Sequence, residues 1–574
     1  MHHTDAIGEL EPLRLIGFVI VLFTQTLGAS TMFFAPEFIV RIYTDDAAIM
    51  AIAVQLLFFS AIFQYSDGIQ ICAACALRGL KDTLVPMYIN ILSYLVIGMS
   101  LGYYLTFNRE MGPSGMWIGM IAGLAHYLTL LYWVVPVMRT YGYLPWYLSV
   151  AILFLFATVL ALFPAVFSMA LATVGRTPVR CLISVPLLWV ALEYVRTIIF
   201  TGFPWALLGH ALYLRHHLIQ IADLFGAYGV SFLIALSNAA VYVAITYTRR
   251  KTWHDLPVSK PLLVSAIGIL AAGLIITWIY GVWRIQTIDQ RIAASPTARV
   301  AVIQGNVDQA IKWDPAHQLA AINKHLRLSH TVKSENPDLI VWPESATPFY
   351  LFFDKRPTEM VMAGIEEGGI DFLVGSPSVA REGEKVIYFN SAYLISPETK
   401  NVSKYDKTHL VPYGEYVPFE SWLPFLGKLV AQVGDFQPGK PGKTLPWKKD
   451  ALGIQICYEV IFPVLSRELV KNGATLLINI TNDAWFGTTS GPYQHFSMTI
   501  FRAVENRRAL ARAANSGISG FIDPVGRILT STRLLEETAL TRPLPMLRQV
   551  TFYTRFGDLF AMACLTGAVF GILV

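Results

Sequence analysis

Three ionisable residues in the C-terminal half lie in or beside short apolar runs: Glu344 in LIVWPES, Lys407 in KYDKTHLVPYGEYVPF and Cys457 in LGIQICYE. A carboxylate can take the proton of a thiol, the thiolate is a nucleophile, and a fixed ammonium can stabilise the oxyanion of a tetrahedral intermediate. Together these groups suffice for acyl transfer through a thioester. Each has an ordinary alternative. A lone cysteine at a strand end is more often a small buried apolar residue, and Glu344 or Lys407, the latter near Lys404, Asp406 and His409, would ordinarily be a solvated charge. The chemistry therefore depends on a fold that brings the three together.

The runs ARVAVIQGN (298–306), DLIVWPES (338–345), DFLVGSPS (371–378), SAYLISPE (391–398), ALGIQICYE (451–459) and ATLLINITND (474–483) are bounded by turn residues. Helical patterns fall between several of them, at 315–334 and 493–513. This alternation predicts a layered α/β domain over 295–545.

Outside that stretch the chain is apolar. Hydrophobic residues make up 54% of its 574 residues and charged residues 14%, and the mean hydropathy is +0.50, well away from a soluble globule. About 20 apolar residues cross the hydrocarbon layer. On that criterion spans fall near 14–36, 48–76, 84–106, 115–138, 145–172, 181–201, 218–247, 261–284 and 552–574. The chain reads as a polytopic α-helical membrane protein with an α/β domain inserted before its last span. A net charge of +5 is too small and scattered for a nucleic-acid surface. Cys72, Cys75, Cys181, Cys457 and Cys564 show neither a disulfide framework nor metal spacing, and no His pattern or Gly-rich loop predicts a cofactor. The acidic N-terminus, lacking a basic region, does not predict a cleaved leader.

Basic residues in short loops predict orientation. Arg176 and Arg180 between two spans, and Arg249, Arg250 and Lys251 before another, place both loops in the cytoplasm and the α/β domain outside. Eight spans counted from a cytoplasmic N-terminus place it inside, and Arg78 and Lys81 sharpen the conflict, so either the N-terminus is external or one early span is misplaced. Within 181–201, Glu193 and Arg196 share a helix face and are expected to pair, or Arg196 to snorkel to the interface.

WPES, KTHLVPYGEYVP and ICYE resemble the nitrilase, or carbon–nitrogen hydrolase, superfamily. With NDAWFG (482–487), QH (494–495), YGYLPWYLS (141–149), LLWVALEYVR (187–196), TGFPW (201–205) and FYTRFGD (552–558), the stretch from about 125 to 574 resembles the bacterial apolipoprotein N-acyltransferase family. The resemblance implies a nitrilase-type αββα sandwich at 295–545, an acyltransferase transmembrane region at 125–290 and a last transmembrane helix at 550–574. It implies a Glu344–Lys407–Cys457 triad, support from Glu415, Tyr458 and Glu459, and a Trp313 that lines the lipid entrance. By that likeness the donor is a phospholipid, the acceptor a diacylglyceryl lipoprotein, and the setting a bacterial inner membrane with a periplasmic catalytic domain. Residues 1–124 instead resemble the last helices of a multidrug and toxin extrusion transporter, through ALRGLKDTLVP (76–86) and MGPSGMWIGMIAGL (111–124), with about four spans once 125–138 is included. Three further readings stand beside the acyltransferase: a membrane-tethered amidase that passes the acyl group to water, a transport protein whose soluble domain is accessory, against which the absence of eight transporter spans counts, and a fusion inactive for want of the family's first spans. Anchoring on both sides favours a lipid substrate. The aromatics Trp342, Phe349, Tyr350, Phe352, Phe353, Trp422, Phe425 and Trp485 are expected to divide between domain core and a lipid-facing edge.

Overall fold

The computed structural model describes residues 35–41, 115–253, 256–383, 385–416 and 436–573. The chain divides into two units, 1–101 and 102–574. In the first, the described part holds one short helix, Pro36–Arg41. The spans expected at 48–76 and 84–106, and nearly all of 14–36, lie outside the described residues.

Among the described residues of the second unit, the first helices are α1 (Gly115–Leu130) and α2 (Val134–Thr140), which meet at a 52° bend. Next come α3 (Trp146–Val174), α4 (Pro178–Ile198), α5 (Ala227–Thr248) and α6 (Lys260–Ala294), each long and apolar enough to cross a membrane. Helix α1 lies tightly on α3, because Gly119 has no side chain to hold them apart. A Cβ there would stand 2.2 Å from the Pro164 carbonyl oxygen, the close approach that small residues permit between membrane helices.

Two spans differ from expectation for the same reason. The segment expected as one span at 218–247 begins its long helix only at Ala227, after two single-turn helices, His216–Ile219 and Ala222–Phe225. Its early residues are held by the α/β domain: Gln220 Nε2 donates to the Val525 carbonyl at 3.0 Å, and Arg507 Nη2 meets Asp223 Oδ2 at 2.8 Å. Helix α6 runs past its expected end at 284. Its 35 residues span roughly 52 Å at 1.5 Å per residue, beyond a hydrocarbon layer of roughly 30 Å. The excess docks on the α/β domain, with Ile288 packed against Val525 and Leu547. Glu193 and Arg196 are both buried, each with its own partner, the Leu208 amide and the Tyr127 hydroxyl, so Arg196 does not snorkel.

Among the described residues the α/β domain is built from two six-stranded sheets. The first has the order β12 (Thr538–Pro545), β1 (Thr297–Gln304), β2 (Leu339–Val341), β3 (Asp371–Glu382), β4 (Lys385–Ser396), β5 (Asn401–Asp406). The second has the order β11 (Ile528–Ser531), β10 (Gly520–Ile522), β9 (Ala509–Ala514), β8 (Leu476–Thr481), β7 (Asp450–Ile456), β6 (Leu445–Trp447). Strands β1–β2–β3 and β7–β8–β9 pair in parallel and the remaining pairs are antiparallel. Side chains alternate between faces, so Val300 and Val302 of β1 meet Ile454 and Ile478 between the sheets. Ala301 and Ile303 face the other way, toward Ile322 of α7 (Pro315–Thr331) and Val361 and Ile365 of α8 (Lys355–Gly368). On the far side α9 (Pro463–Lys471) and α10 (Gly491–Asn506) pack against β7 and β9. The layers are αββα, and both faces of each parallel core are covered, which is why those strands read as unbroken apolar runs.

One helix was expected over 493–513. Helix α10 ends at Asn506, Arg507 turns into the left-handed region (φ 51), and Ala509–Ala514 becomes β9, the parallel neighbour of β8. Alanine favours helix by propensity, but a slot between two buried strands overrides it. The segment expected as a single helix from 552 also breaks, at Gly557 (φ 70), into α11 (Phe552–Phe556) and α12 (Leu559–Leu573).

Ala511 is fully buried between the sheets. Ala511→Phe is expected to cost about 1–3 kcal/mol by overpacking, read as a lower thermal unfolding midpoint of the purified chain. An unchanged midpoint would contradict the strand assignment.

Candidate active site

The three sequence-selected residues emerge beside strand ends. Glu344 follows β2 by three residues, Lys407 directly follows β5, and Cys457 directly follows β7. Cys457 has φ 53 and begins the tight turn Cys457–Ile461. A left-handed conformation is uncommon for a residue with a side chain, and its surroundings hold it there. The Ile456 amide donates to Glu459 Oε2 at 2.6 Å, and His495 Nε2 lies 3.2 Å from the Cys457 carbonyl oxygen.

Lys407 is 1% exposed, and its Nζ stands 2.9 Å from Glu415 and 3.6 Å from Glu344 Oε1. Asn390 Nδ2 donates to Glu344 Oε1 and to Glu415 Oε1, both at 2.8 Å. The second oxygen of Glu344 accepts from the Asn482 amide at 2.9 Å. Glu415 also accepts from the Val411 amide at 2.8 Å. Both carboxylates are thus tethered at each oxygen, the condition under which buried charges persist.

Glu459 is fully buried and joins two of these strand ends. Its Oε1 accepts from the Tyr405 hydroxyl, the Thr408 amide and hydroxyl and the His409 amide, while Oε2 accepts from Ile456. Tyr458, beside the nucleophile, packs on Phe462 at 5.1 Å, and the His409 ring lies tilted against the same ring at 3.8 Å.

Burial pushes the Cys457 thiol above its usual range, the Glu344 charge raises it further and Lys407 opposes. Burial alone would lower the Lys407 ammonium, but Glu415 and Glu344 outweigh it and hold the group above the usual lysine range. The resting pair is therefore a neutral thiol and a charged ammonium, and attack by sulfur must be coupled to proton removal. Behind the nucleophile, Asp483 is held low against its own burial by Arg512 and His495, while burial and Arg512 lower His495.

Glu344, Lys407, Glu415, Tyr458 and Glu459 converge with Cys457. Trp313 stands on the loop before α7, half-buried, next to Lys312, whose Nζ is 3.3 Å from the Glu344 carbonyl oxygen. Sequence reasoning assigned no role to Asn390, Lys312, Asn482, Asp483, His495 or Arg512. NDAWFG and QH flagged Asn482, Asp483 and His495 by position, and Lys312 adjoins Trp313, whereas nothing in FNSAYL singles out Asn390. Lys312 is buried, which lowers its ammonium to about 8. Of the aromatics, Trp342 and Phe349 are core, Phe352 and Phe353 are exposed, Trp485 packs on Tyr141 at 4.8 Å, and Trp422 and Phe425 lie outside the described residues.

A four-layer αββα domain with Cys, Glu and Lys at its strand ends defines a carbon–nitrogen hydrolase, and the family model of that description matches residues 299–549. The model for the apolipoprotein N-acyltransferase N-terminal domain matches 83–240, and a MatE model matches 10–104. An apolipoprotein N-acyltransferase from Geobacter metallireducens is 45% identical over 79% of this chain and 85% of its own length. One from Rickettsia prowazekii is 32% identical over 87% of this chain and 97% of its own. The chain belongs to the apolipoprotein N-acyltransferase family. Among solved structures, an amidase from Nesterenkonia sp. is similar at 22% identity and a TM-score of 0.33, covering 46% of this chain and 95% of its own.

Because a glutamine amide would turn a donor toward donors at Glu459, Glu459→Gln is expected to cost about 1–3 kcal/mol of stability. It should also reduce kcat with a smaller change in KM, measured by acyl transfer and thermal unfolding. Unchanged kcat would contradict its role as the tie between the Lys407 and Cys457 loops.

Proposed function

We propose that the chain moves a fatty acyl group from a phospholipid, through a thioester on Cys457, to the α-amino group of a diacylglyceryl-cysteine at a lipoprotein N-terminus. The observation that carries this reading is the convergence of Glu344, Lys407 and Cys457 on one buried cluster in a chain of this family. Glu344 takes the thiol proton as Cys457 sulfur attacks the ester carbonyl carbon. Lys407 faces the developing oxyanion, the ester C–O bond breaks, and Glu344 returns the proton to the departing lysophospholipid oxygen. In the second half the acceptor amine attacks the thioester carbon, its proton passes to Glu344, the C–S bond breaks and the thiol is restored. Glu415 and Asn390 keep Lys407 and Glu344 in place, and Trp313 lines the lipid entrance.

The setting proposed is the bacterial inner membrane, with the catalytic domain in the periplasm. Arg176 lies between α3 and α4 and Arg180 in the first turn of α4, and Arg249, Arg250, Lys251 and Lys260 lie between α5 and α6 or at the start of α6. Helices α4 and α5 form a pair of crossings between these two basic segments, and α6 then carries the chain to the other side. The expected early spans that raised a conflict of parity lie outside the described residues.

Cys457→Ala is expected to abolish transfer, and Glu344→Gln and Lys407→Met to reduce kcat by on the order of a thousandfold, measured with acyl-labelled phospholipid and a diacylglyceryl-cysteine peptide. Transfer by Cys457→Ala at the parent rate would sink the thioester reading. Since the folded thiol is held above the usual value of about 8.5, alkylation of Cys457 by iodoacetamide should be slow at neutral pH and still rising above pH 9. A rapid rate already level at pH 7 would mean a preformed thiolate and contradict proton removal during attack.

A further inference from the structure

The QH motif has no part in the chemistry above, yet its two residues face two different regions of the molecule. Gln494, in the first turn of α10, uses every hydrogen-bonding position of its amide. Its Oε1 accepts from the indole N–H groups of Trp133 at 3.1 Å and Trp205 at 2.7 Å. Its Nε2 donates to the Leu130 carbonyl at 3.0 Å and to Ser490 Oγ at 3.2 Å. Leu130 ends α1 and Trp133 lies in the break before α2. Helix ends leave carbonyls without intrahelical partners, and a break inside an apolar segment needs partners from elsewhere. Gln494 supplies one. The same break is clasped by the Ser490 amide, which donates to the Tyr132 hydroxyl at 3.1 Å, and the far end of α2 is held by the Tyr141 hydroxyl, which donates to the Ala484 carbonyl at 3.0 Å.

The next residue, His495, is 1% exposed, and its Nε2 is 3.2 Å from the carbonyl oxygen of Cys457. Its other nitrogen lies 3.0 Å from both Asp483 Oδ1 and Arg512 Nη2. Trp205, the indole bonded to Gln494, stacks on the His495 ring with centroids 5.6 Å apart. A continuous set of contacts therefore runs from the broken membrane helix, through Gln494 and Trp205, to His495 and the main chain of the nucleophile.

We propose that Gln494 is a positioning residue for acyl transfer, fixing the main chain of Cys457 relative to the break between α1 and α2 through His495. It touches neither lipid nor the reacting atoms. The proposal rests on Cys457 being the nucleophile. It differs from simple domain packing in what it moves: the rate at which a bound lipid acylates Cys457, rather than lipid affinity or stability alone.

The test is single-turnover acylation of Cys457 in the full chain, using phospholipid with a labelled acyl chain over a range of lipid concentrations, with the thermal unfolding midpoint measured alongside. Two variants probe the link from opposite ends. Gln494→Met removes the amide, and Trp133→Phe with Trp205→Phe removes both indole donors while leaving α10 and the ring against His495 in place. Both are expected to lower the rate constant at saturating lipid by about tenfold or more, with half-saturation changed by less than about threefold, since a small misplacement of reacting groups is costly. Rate constants equal to the parent's, or a rise in half-saturating lipid alone, overturn the positioning role while leaving the nucleophile assignment intact. If the parent chain never acylates Cys457, that assignment falls and the proposal with it.

Discussion

A lysine ammonium enclosed with two carboxylates is the constraint on which this molecule turns. Lys407 is almost entirely removed from water, and an isolated charge there would be lost by deprotonation. It persists because Glu415 contacts it directly, Glu344 lies nearby and Asn390 bridges the two acids. Removing one member would leave an uncompensated buried charge, the costly kind of loss. The cluster is therefore held from every side by backbone: the amides of Asn482 and Val411 meet the two carboxylates, and Lys407 itself is fixed by β5. The two-sheet architecture serves this requirement by bringing the ends of β2, β5 and β7 together.

The same logic extends outward to the membrane part. Asp223, fully buried, meets Arg284 of α6 and Arg507 after α10, so one carboxylate ties the segment before α5, helix α6 and the α/β domain. Glu193 and Arg196 likewise find partners inside the bundle. These buried polar ties fix the helices relative to the domain that carries the thiol, in an interior where each unmet polar group is expensive.

Much of this was legible from residues alone. The runs around 300, 340, 373, 394, 454 and 478 are strands because β-branched and aliphatic residues cluster between turn residues, and Glu344, Lys407 and Cys457 stood out through the motifs around them. ALARAA did not read as a strand, since alanine leans toward helix and only the neighbouring β8 decides its state. Asn390 was invisible because its role depends on two acids distant in sequence. The start of α5 was misplaced for a related reason: hydropathy averages over Gln220 and Asp223, whose partners lie beyond residue 500. In each case the missing information was a long-range contact rather than a local preference.

The central claim is that Cys457 carries the acyl group between donor and acceptor. Intact mass measurement of the purified chain after exposure to phospholipid alone, then to a diacylglyceryl-cysteine peptide, tests it most directly. The account predicts a gain of one fatty acyl group on Cys457 that the peptide's amine removes while the peptide becomes acylated. A chain that acylates the peptide while Cys457 stays a free thiol throughout, at every time sampled, would contradict it.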